Sequence, residues 1–492
     1  MSSAPLDFER CYRAVESRDA RFDGWFIAAV RTTGIYCRPS CPTPIRPKRR
    51  NVRFYPTAAA AQLAGFRACK RCRPDSSPGS PEWNVRGDLV GRAMRLIADG
   101  VVDRDGVSGV AQRLAVSERH LHRIMVSELG AGPLAIARAQ RAQTARTLIE
   151  TTTLSFTDVA FAAGFASTRQ FNDTIAEVFA LTPTKLRAAA HCRGEHPNGA
   201  LTLRLPFRPP LDWPGLLSWL GRRVIPGVAE VEGNIYRRTL RLPGGAAIAE
   251  MEPAETYIRC TLQLESIADL ASAVLHCRRL LDLDADPTSV VEVLCGDSLL
   301  RPLVRRNRGL RAPGTVDGTE LAIQAVMGQQ VSLAAARTLA TRLVTSSGDR
   351  LKIAHPTLTH LFPTAAGIAE ADLTRLGVPA SRRSTLARLA VAIASGDLQL
   401  DPGADRAEVY QRLTALRGIG EWTAGYILMR ALGDPDTFLS TDLGVRKAGA
   451  LLGLGTDPKA IAAHAAAWSP WRTYATHHLW STLAAPSMKG AA

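Results

Sequence analysis

The chain has 492 residues, 46% of them hydrophobic, which is too long for one core and too apolar for disorder, so three or four separately cored domains are expected. The formal net charge is +16, and residues 1 to 80 hold 15 Lys/Arg against 6 Asp/Glu, +9 of that total; such a balance suits nucleic acid, an anionic membrane surface or solubility, and motifs must choose among them. The opening MSSAPLDFERCYRAVESRD has no apolar h-region and no apolar run reaches a membrane span, so neither a signal peptide nor a membrane partner is expected. Nine cysteines in so large a chain point to a reducing, cytoplasmic setting with free or metal-bound thiols.

Punctuation divides the chain. A Pro/Gly/Ser cluster at Pro74 to Pro81 (PDSSPGSP) closes a first unit at residues 1–78, and RGEHPNG at Arg193 to Gly199 closes a second, helical in period, at 82–192. Residues 201–207, 235–242 and 257–264 alternate apolar and polar positions and are predicted strands of one antiparallel sheet within 199–286. The helical period returns at Pro287 and defines a last unit, 287–485. The predicted fold is multidomain α+β: a small zinc domain, an all-α tandem helix-turn-helix, an antiparallel α/β subdomain and an all-α helical domain.

In the first unit Cys37 and Cys41 form C-x3-C and Cys69 and Cys72 form C-x2-C. Two short-spaced couples suit a tetrahedral site for one Zn2+ with four thiolate ligands, formally −2 in charge. A sufficiently exposed thiolate there is a soft nucleophile toward a methyl group. The surrounding VRTTGIYCRPSC and NVRFYPTAAAAQLAGFRACKRCRPD closely resemble the N-terminal domain of Ada-type adaptive-response proteins, which repair methyl phosphotriesters. The resemblance implies that Cys37 accepts the methyl group while Cys41, Cys69 and Cys72 remain as ligands. Loss of one negative charge on transfer would raise DNA affinity. The basic run Arg46, Lys48, Arg49, Arg50, Arg53 is expected to hold the DNA backbone, against the plainer reading of a solvated charged face.

Residues 107–130 (VSGVAQRLAVSERHLHRIMVSELG) show a short amphipathic helix, a turn at Ala115 to Ser117 and a second helix with Leu121, Ile124 and Met125 inward. The plan repeats at 156–179, with Gly164 in the turn and Ser167 and Gln170 as a capping box. A connecting helix, Pro133 to Glu150, is roughly 27 Å long, comparable with a turn of B-DNA. The pattern resembles the AraC-type DNA-binding domain. Arg119, His120, Arg123, Thr168, Arg169 and Asn172 point away from the apolar faces and are the expected base or phosphate contacts.

In the last unit LRGIGEWTAGY places Gly418 and Gly420 in a hairpin between helices, where backbone N–H groups can face a phosphate. After twenty-one intervening residues comes Asp442, in TFLSTDLGVRK. This spacing resembles helix-hairpin-helix DNA glycosylases of the 3-methyladenine glycosylase II type, AlkA-like, and RPPLDWPGLLSWL, NRGLRAPGTVDGTELAIQAVMGQQVS and WSPWRTYATHHLW extend the likeness across 201–480. The resemblance implies Asp442 as catalytic carboxylate, Tyr426 and Trp480 as pocket aromatics for a flipped cationic purine, and Gln330 where relatives insert an apolar wedge. Asp442 is also well placed to cap the helix that follows it.

Three absences narrow the expectation. Related lyases carry a lysine where Trp422 stands, so a monofunctional enzyme without a Schiff base is expected. No cysteine follows Cys295, so no iron–sulfur cluster is expected after the catalytic segment. No P-C-H-R nucleophile occurs, so O6-alkylguanine repair is not expected.

The leading expectation joins both halves: a methyl-accepting sensor that activates alkylation-response genes, with alkylated and promoter duplex DNA and RNA polymerase as partners, fused to a 3-methyladenine glycosylase. The alternative is a transcriptional regulator whose C-terminal half binds damaged DNA without excision. A sugar-sensing AraC-type regulator would need a cupin, and none is visible.

Overall fold

The structure, a computed structural model, describes residues 6–19, 22–44, 46–72, 74, 89–189, 200–401 and 403–483. Both predicted linkers, apart from Pro74, lie outside these residues. The chain forms two compact units: Met1–Phe207 with Arg237–Arg278, and Arg208–Tyr236 with Arg279–Ala492.

The first unit begins with the helix Phe8–Ser17, capped by Asp7, whose Oδ1 accepts from the Glu9 and Arg10 amides. Strands β1 (Ile27–Val30), β2 (Ile35–Cys37), β3 (Val52–Tyr55) and β4 (Arg67–Ala68) follow, in the order β3-β1-β2-β4. This sheet was not expected, because strands of two to four residues are too short for alternation to register. It is nonetheless what gathers the cysteines. β1 runs antiparallel to β2, while β2 runs parallel to β4 with Tyr36 opposite Ala68. Cys37 ends β2 and Cys69 follows β4, so the parallel pair brings the two couples together, and Cys69 N donates to Tyr36 O at 2.9 Å.

Seven helices then run from Leu89 to Ala189. Gly106, at φ 71 and ψ −175, kinks the stretch Val101–Arg113, so its second part starts where the sequence predicts a helix. Ala115 turns the chain at φ 55, and Ser117 caps the helix Glu118–Leu129 by accepting from His120 N at 3.2 Å. Leu121 and Met125 are fully buried and Ile124 is half-buried. The connecting helix spans Pro133–Thr151. In the second copy Gly164 has φ 84, and Ser167 accepts from Gln170 N at 3.2 Å to start the helix Thr168–Phe179. The return arm of the capping box differs from expectation: Gln170 Oε1 accepts from Ala166 N, one residue before the cap.

Strands β5 (Leu201–Pro206), β6 (Ala229–Glu232), β7 (Ile235–Leu242), β8 (Gly245–Pro253) and β9 (Tyr257–Leu264) include the three predicted. Within the first unit β5, β9, β8 and β7 lie side by side in that order, and β9 is antiparallel to both β5 and β8. β8 went unpredicted because Ala246 to Ala249 are buried without interruption, which hides the two-residue period.

The second unit is helical. Gly318–Met327 is apolar on nearly every face, the mark of a central helix, and packs against Ala380–Ala394 and Glu421–Ala431. The core comprises Ile323, Val326, Leu343, Leu386, Leu413 and Ile427 with their neighbours. The helices Leu443–Leu451 and Arg472–Leu483 pack on each other and carry the last site residues.

Candidate functional site

Three constellations stand out. In the first, one sulfur from each of Cys37, Cys41, Cys69 and Cys72 lies within 4.8 Å of all the others. Tetrahedral bonds of about 2.3 Å to one zinc would place sulfurs about 3.8 Å apart, so the donor set fits that ion. Four thiols this close cannot all ionise without a cation between them. Cys69 and Cys72 are buried, whereas Cys37 and Cys41 are half-exposed. The loop between the latter is fixed by Asp23, which accepts from Ser40 N at 3.0 Å and Ser40 Oγ at 2.6 Å and pairs with Arg38 at 3.4 Å. Arg46, Lys48, Arg50 and Arg53 are exposed. Arg49 is also exposed but turns back on its own fold, pairing with Glu9 and lying over the Phe8 and Tyr12 rings.

In the second, Arg119, Arg123, Thr168, Arg169 and Asn172 are exposed on Glu118–Leu129 and Thr168–Phe179. His120 is half-buried and its Nδ1 lies 3.1 Å from Arg123 Nη2.

The third centres on Asp442. It caps Leu443–Leu451, its Oδ1 accepting from Val445 N at 2.9 Å, so the capping role is real. The same carboxylate takes two further bonds: Trp480 Nε1 donates to Oδ1 at 2.8 Å and Trp422 Nε1 to Oδ2 at 2.9 Å. Two indoles thus fix the plane of a half-buried carboxylate. Trp422 stacks on Tyr426, centroids 5.4 Å apart and 7° from parallel. The Tyr426 hydroxyl accepts from Arg430 Nη1 at 2.9 Å. Burial alone would push this phenol up, but Arg430 and Arg223 beside it outweigh burial and hold it below its ordinary range.

Sequence reasoning missed the group of residues next to Tyr426 and Trp480. Two guanidinium groups lie over the Trp219 ring, Arg223 at 3.7 Å and Arg430 at 4.2 Å from its centroid. Burial lowers the Arg223 guanidinium to about 10. Arg430 is anchored by the carbonyls of Pro313 and Gly314. His477 stands edge-on to Trp480 at 5.0 Å, and burial, then Arg430 and Arg223, hold its imidazole far below the usual range, hence neutral. The only signal available in the sequence was the stretch LLSWLGRR, whose tryptophan reads as core and whose arginines read as surface.

The hairpin is built as its glycines require. Gly418 has φ 98, and a Cβ there would lie 2.1 Å from Thr385 Oγ1. Gly420 opens the helix Glu421–Ala431 with nothing within 4 Å of a Cβ. Gln329 Nε2 donates to Gly418 O at 2.9 Å and Thr423 Oγ1 at 3.0 Å, tying the preceding loop to the hairpin. At the tip of that loop Gln330 is exposed with φ 56, followed by the exposed Val331 and Leu333.

A four-thiol metal-binding unit, a tandem helix-turn-helix and a helix-hairpin-helix glycosylase fold in one chain define a composite DNA-binding repair and regulatory protein. Residues 10–75 match the family described as the metal binding domain of Ada, 110–189 a helix-turn-helix domain and 202–317 the AlkA N-terminal domain. The chain is 55% identical to a Mycobacterium tuberculosis protein named probable bifunctional transcriptional activator/DNA repair enzyme AlkA, over 98% of this chain and 97% of that one. It therefore belongs to the family of bifunctional transcriptional activator/DNA repair enzymes of this kind. DNA-3-methyladenine glycosylase 2 of Escherichia coli is 33% identical over 56% of this chain and 96% of its own length. The bifunctional activator/repair enzyme Ada of Escherichia coli is 35% identical over 35% of this chain and 47% of its own. Among solved structures, the 3-methyladenine DNA glycosylase of Archaeoglobus fulgidus shares the fold, with TM-score 0.52 and 24% identity over 58% of this chain and 99% of that one. No helix among the described residues is long and apolar enough to cross a membrane.

Proposed function

We propose that this chain removes alkylated purines such as 3-methyladenine from duplex DNA by hydrolysis at Asp442, and that it takes methyl groups from DNA methyl phosphotriesters onto Cys37. The observation that carries the first activity is the carboxylate held by two indole N–H groups beside stacked aromatic rings. An N-alkylated purine is cationic and leaves without much acid assistance. What remains is a sugar cation and an attacking water, and one fixed carboxylate stabilises the former and orients or deprotonates the latter. Tyr426 and Trp480 line the pocket for the flipped base, Gly418 and Gly420 receive a phosphate, and Gln330 with Val331 enters the duplex. Trp422 cannot form a Schiff base, which supports a monofunctional enzyme without lyase activity.

For the second activity, Cys37, Cys41, Cys69 and Cys72 hold one zinc, which keeps the sulfurs as thiolates when bound. Exposure supports a nucleophile in the first couple, since Cys69 and Cys72 are covered. The Cys37 sulfur forms the S–CH3 bond as the O–CH3 bond breaks, and the electron pair stays on the phosphate oxygen, restoring the diester anion. Arg46 and Lys48, both exposed, grip the backbone, whereas Arg49 is engaged by Glu9. The helix-turn-helix, through Arg119, Arg123, Thr168, Arg169 and Asn172, then binds promoter DNA and engages RNA polymerase in the reducing cytoplasm. With no cysteine between Cys295 and Asp442, the catalytic segment offers no thiolates to an iron–sulfur cluster.

Incubation of methylated duplex DNA with wild type and Asp442→Asn, counting free 3-methyladenine, tests the glycosylase. Release should fall by about 10²- to 10⁴-fold in the variant. Absence of release by wild type would favour the alternative, a regulator that binds damage without excising it.

A further inference from the structure

The cysteine unit has a small cluster of its own around Cys11, Ala14 and Phe26, but part of it shares a core with the tandem helix-turn-helix. The short helix Ala58–Leu63 lies between β3 and β4 in the chain, yet Ala59 and Ala60 are buried among Leu121, Met125 and Leu129 of the first helix-turn-helix and Ile136 of the connecting helix. Thr57 works in both directions. Its hydroxyl oxygen accepts from Ala60 N at 3.1 Å, capping its own helix, and its hydroxyl hydrogen goes to Leu129 O at 3.2 Å, at the end of the recognition helix Glu118–Leu129. That helix closes on Gly130 at φ 69, where a Cβ would come within 3.0 Å of the Ala60 Cβ. Backbone conformation and space both demand glycine there.

From the same short helix a second connection runs to the metal site. Gln62 Nε2 donates to the Tyr36 hydroxyl at 2.9 Å, and Tyr36, wholly buried, directly precedes Cys37 in β2. Strand β4, set against β2 with Ala68 opposite Tyr36, packs on the second recognition helix Thr168–Phe179. The cysteine unit therefore touches both recognition helices, the first through Thr57 and Ala58–Leu63 and the second through β4.

We propose that the helix Ala58–Leu63 couples Cys37 mechanically to the recognition helices, with Thr57, Gln62 and Gly130 as positioning residues. A group added at Cys37 acts on a strand whose neighbour Tyr36 is wholly buried, and close-packed interiors pass displacements on. The displacement reaches Gln62, then the helix, then Leu129. The inference rests on Cys37 as methyl acceptor and on the helix-turn-helix as DNA reader, and it adds a route between them other than the site's charge.

Two measurements on the full chain test it. In the unmodified protein, hydrogen exchange should show Thr57→Val lowering protection of Ala58–Leu63 and of Glu118–Leu129 together, while Thr57→Ser, which keeps the hydroxyl, leaves both unchanged. Loss confined to the short helix would overturn the coupling. Affinity for a labelled mixed-sequence duplex is then measured before and after exposure to a methyl-phosphotriester duplex. Gln62→Leu and Tyr36→Phe should keep stoichiometric methyl uptake but lose about tenfold of the affinity gain seen in wild type. A full gain in both variants would overturn the relay. Absence of methyl uptake by wild type would instead remove the Cys37 reading, and the exchange experiment would still decide the mechanical coupling.

Discussion

Trp422 Nε1 donates a 2.9 Å hydrogen bond to Asp442 Oδ2, so this ring is itself part of the carboxylate's support. An indole has no amine to form a Schiff base, and here it supplies a neutral donor that holds the carboxylate in one orientation.

Trp422→Phe keeps a ring to stack on Tyr426 but removes that donor. A hydrogen bond to a charged group contributes about 1.5–3 kcal/mol, so single-turnover release of 3-methyladenine should slow by about tenfold or more with little change in KM. Borohydride added during turnover by wild type should trap no covalent DNA adduct; a trapped adduct would contradict the monofunctional reading.

The two hairpin glycines should respond differently to alanine. At Gly418 the positive φ and Thr385 Oγ1 leave no room, so Gly418→Ala should lower both thermal stability and DNA affinity. At Gly420 the backbone is ordinary and the space is open, so Gly420→Ala should melt within about a degree of wild type yet bind duplex DNA more weakly. Equal effects of the two changes on stability would refute phosphate contact as the reason for the second glycine.

Burial pulls His478 down to about 4 from an ordinary 6.5. The unfolded chain therefore takes up its proton first, so this contribution to stability is complete above about pH 6.5 and is lost as pH falls toward 4. The full span corresponds to about 3 kcal/mol. Asp282, raised to about 6 by burial, acts in the opposite sense over the same range, so the comparison must be with a variant. Between about pH 7 and pH 5, wild type should lose roughly 2 kcal/mol more stability than His478→Gln, measured by urea denaturation.

Cys72→Ser should abolish zinc binding and unfold the sheet β3-β1-β2-β4, because a buried structural ligand supplies much of a small unit's stability. Cys37→Ser should retain most of the zinc and the fold while losing methyl uptake. Elemental analysis beside methyl transfer from a methyl-phosphotriester duplex separates the two outcomes.

Much of the architecture was legible because it rests on local chemistry. The C-x3-C and C-x2-C couples, the serines capping at Ser117 and Ser167, and the glycines at Gly164 and Gly418 each announce a local geometry. The short strands of the cysteine unit and the fully buried β8 were not legible, since neither leaves a two-residue period in the chain. Arg49 shows the same limit on a surface: it belongs to a basic run in the sequence, but Glu9 and two aromatic rings engage it in the fold.

By itself the sequence singled out the groups proposed to carry chemistry: four thiols at metal-binding spacing, a glycine hairpin, and Asp442 after twenty-one intervening residues. Those signals are short-range, and residue type with spacing suffices to state them. Only the tertiary structure decided what surrounds the groups. Trp219, Arg223, Arg430 and Trp480 come from helices up to about 260 residues apart in the chain, and Thr57 meets Leu129 only once two units share a core. Long-range packing has no periodicity to read. It is set by which apolar faces cover one another, and it fixes both the orientation of the Asp442 carboxylate and the contact of Thr57 with Leu129.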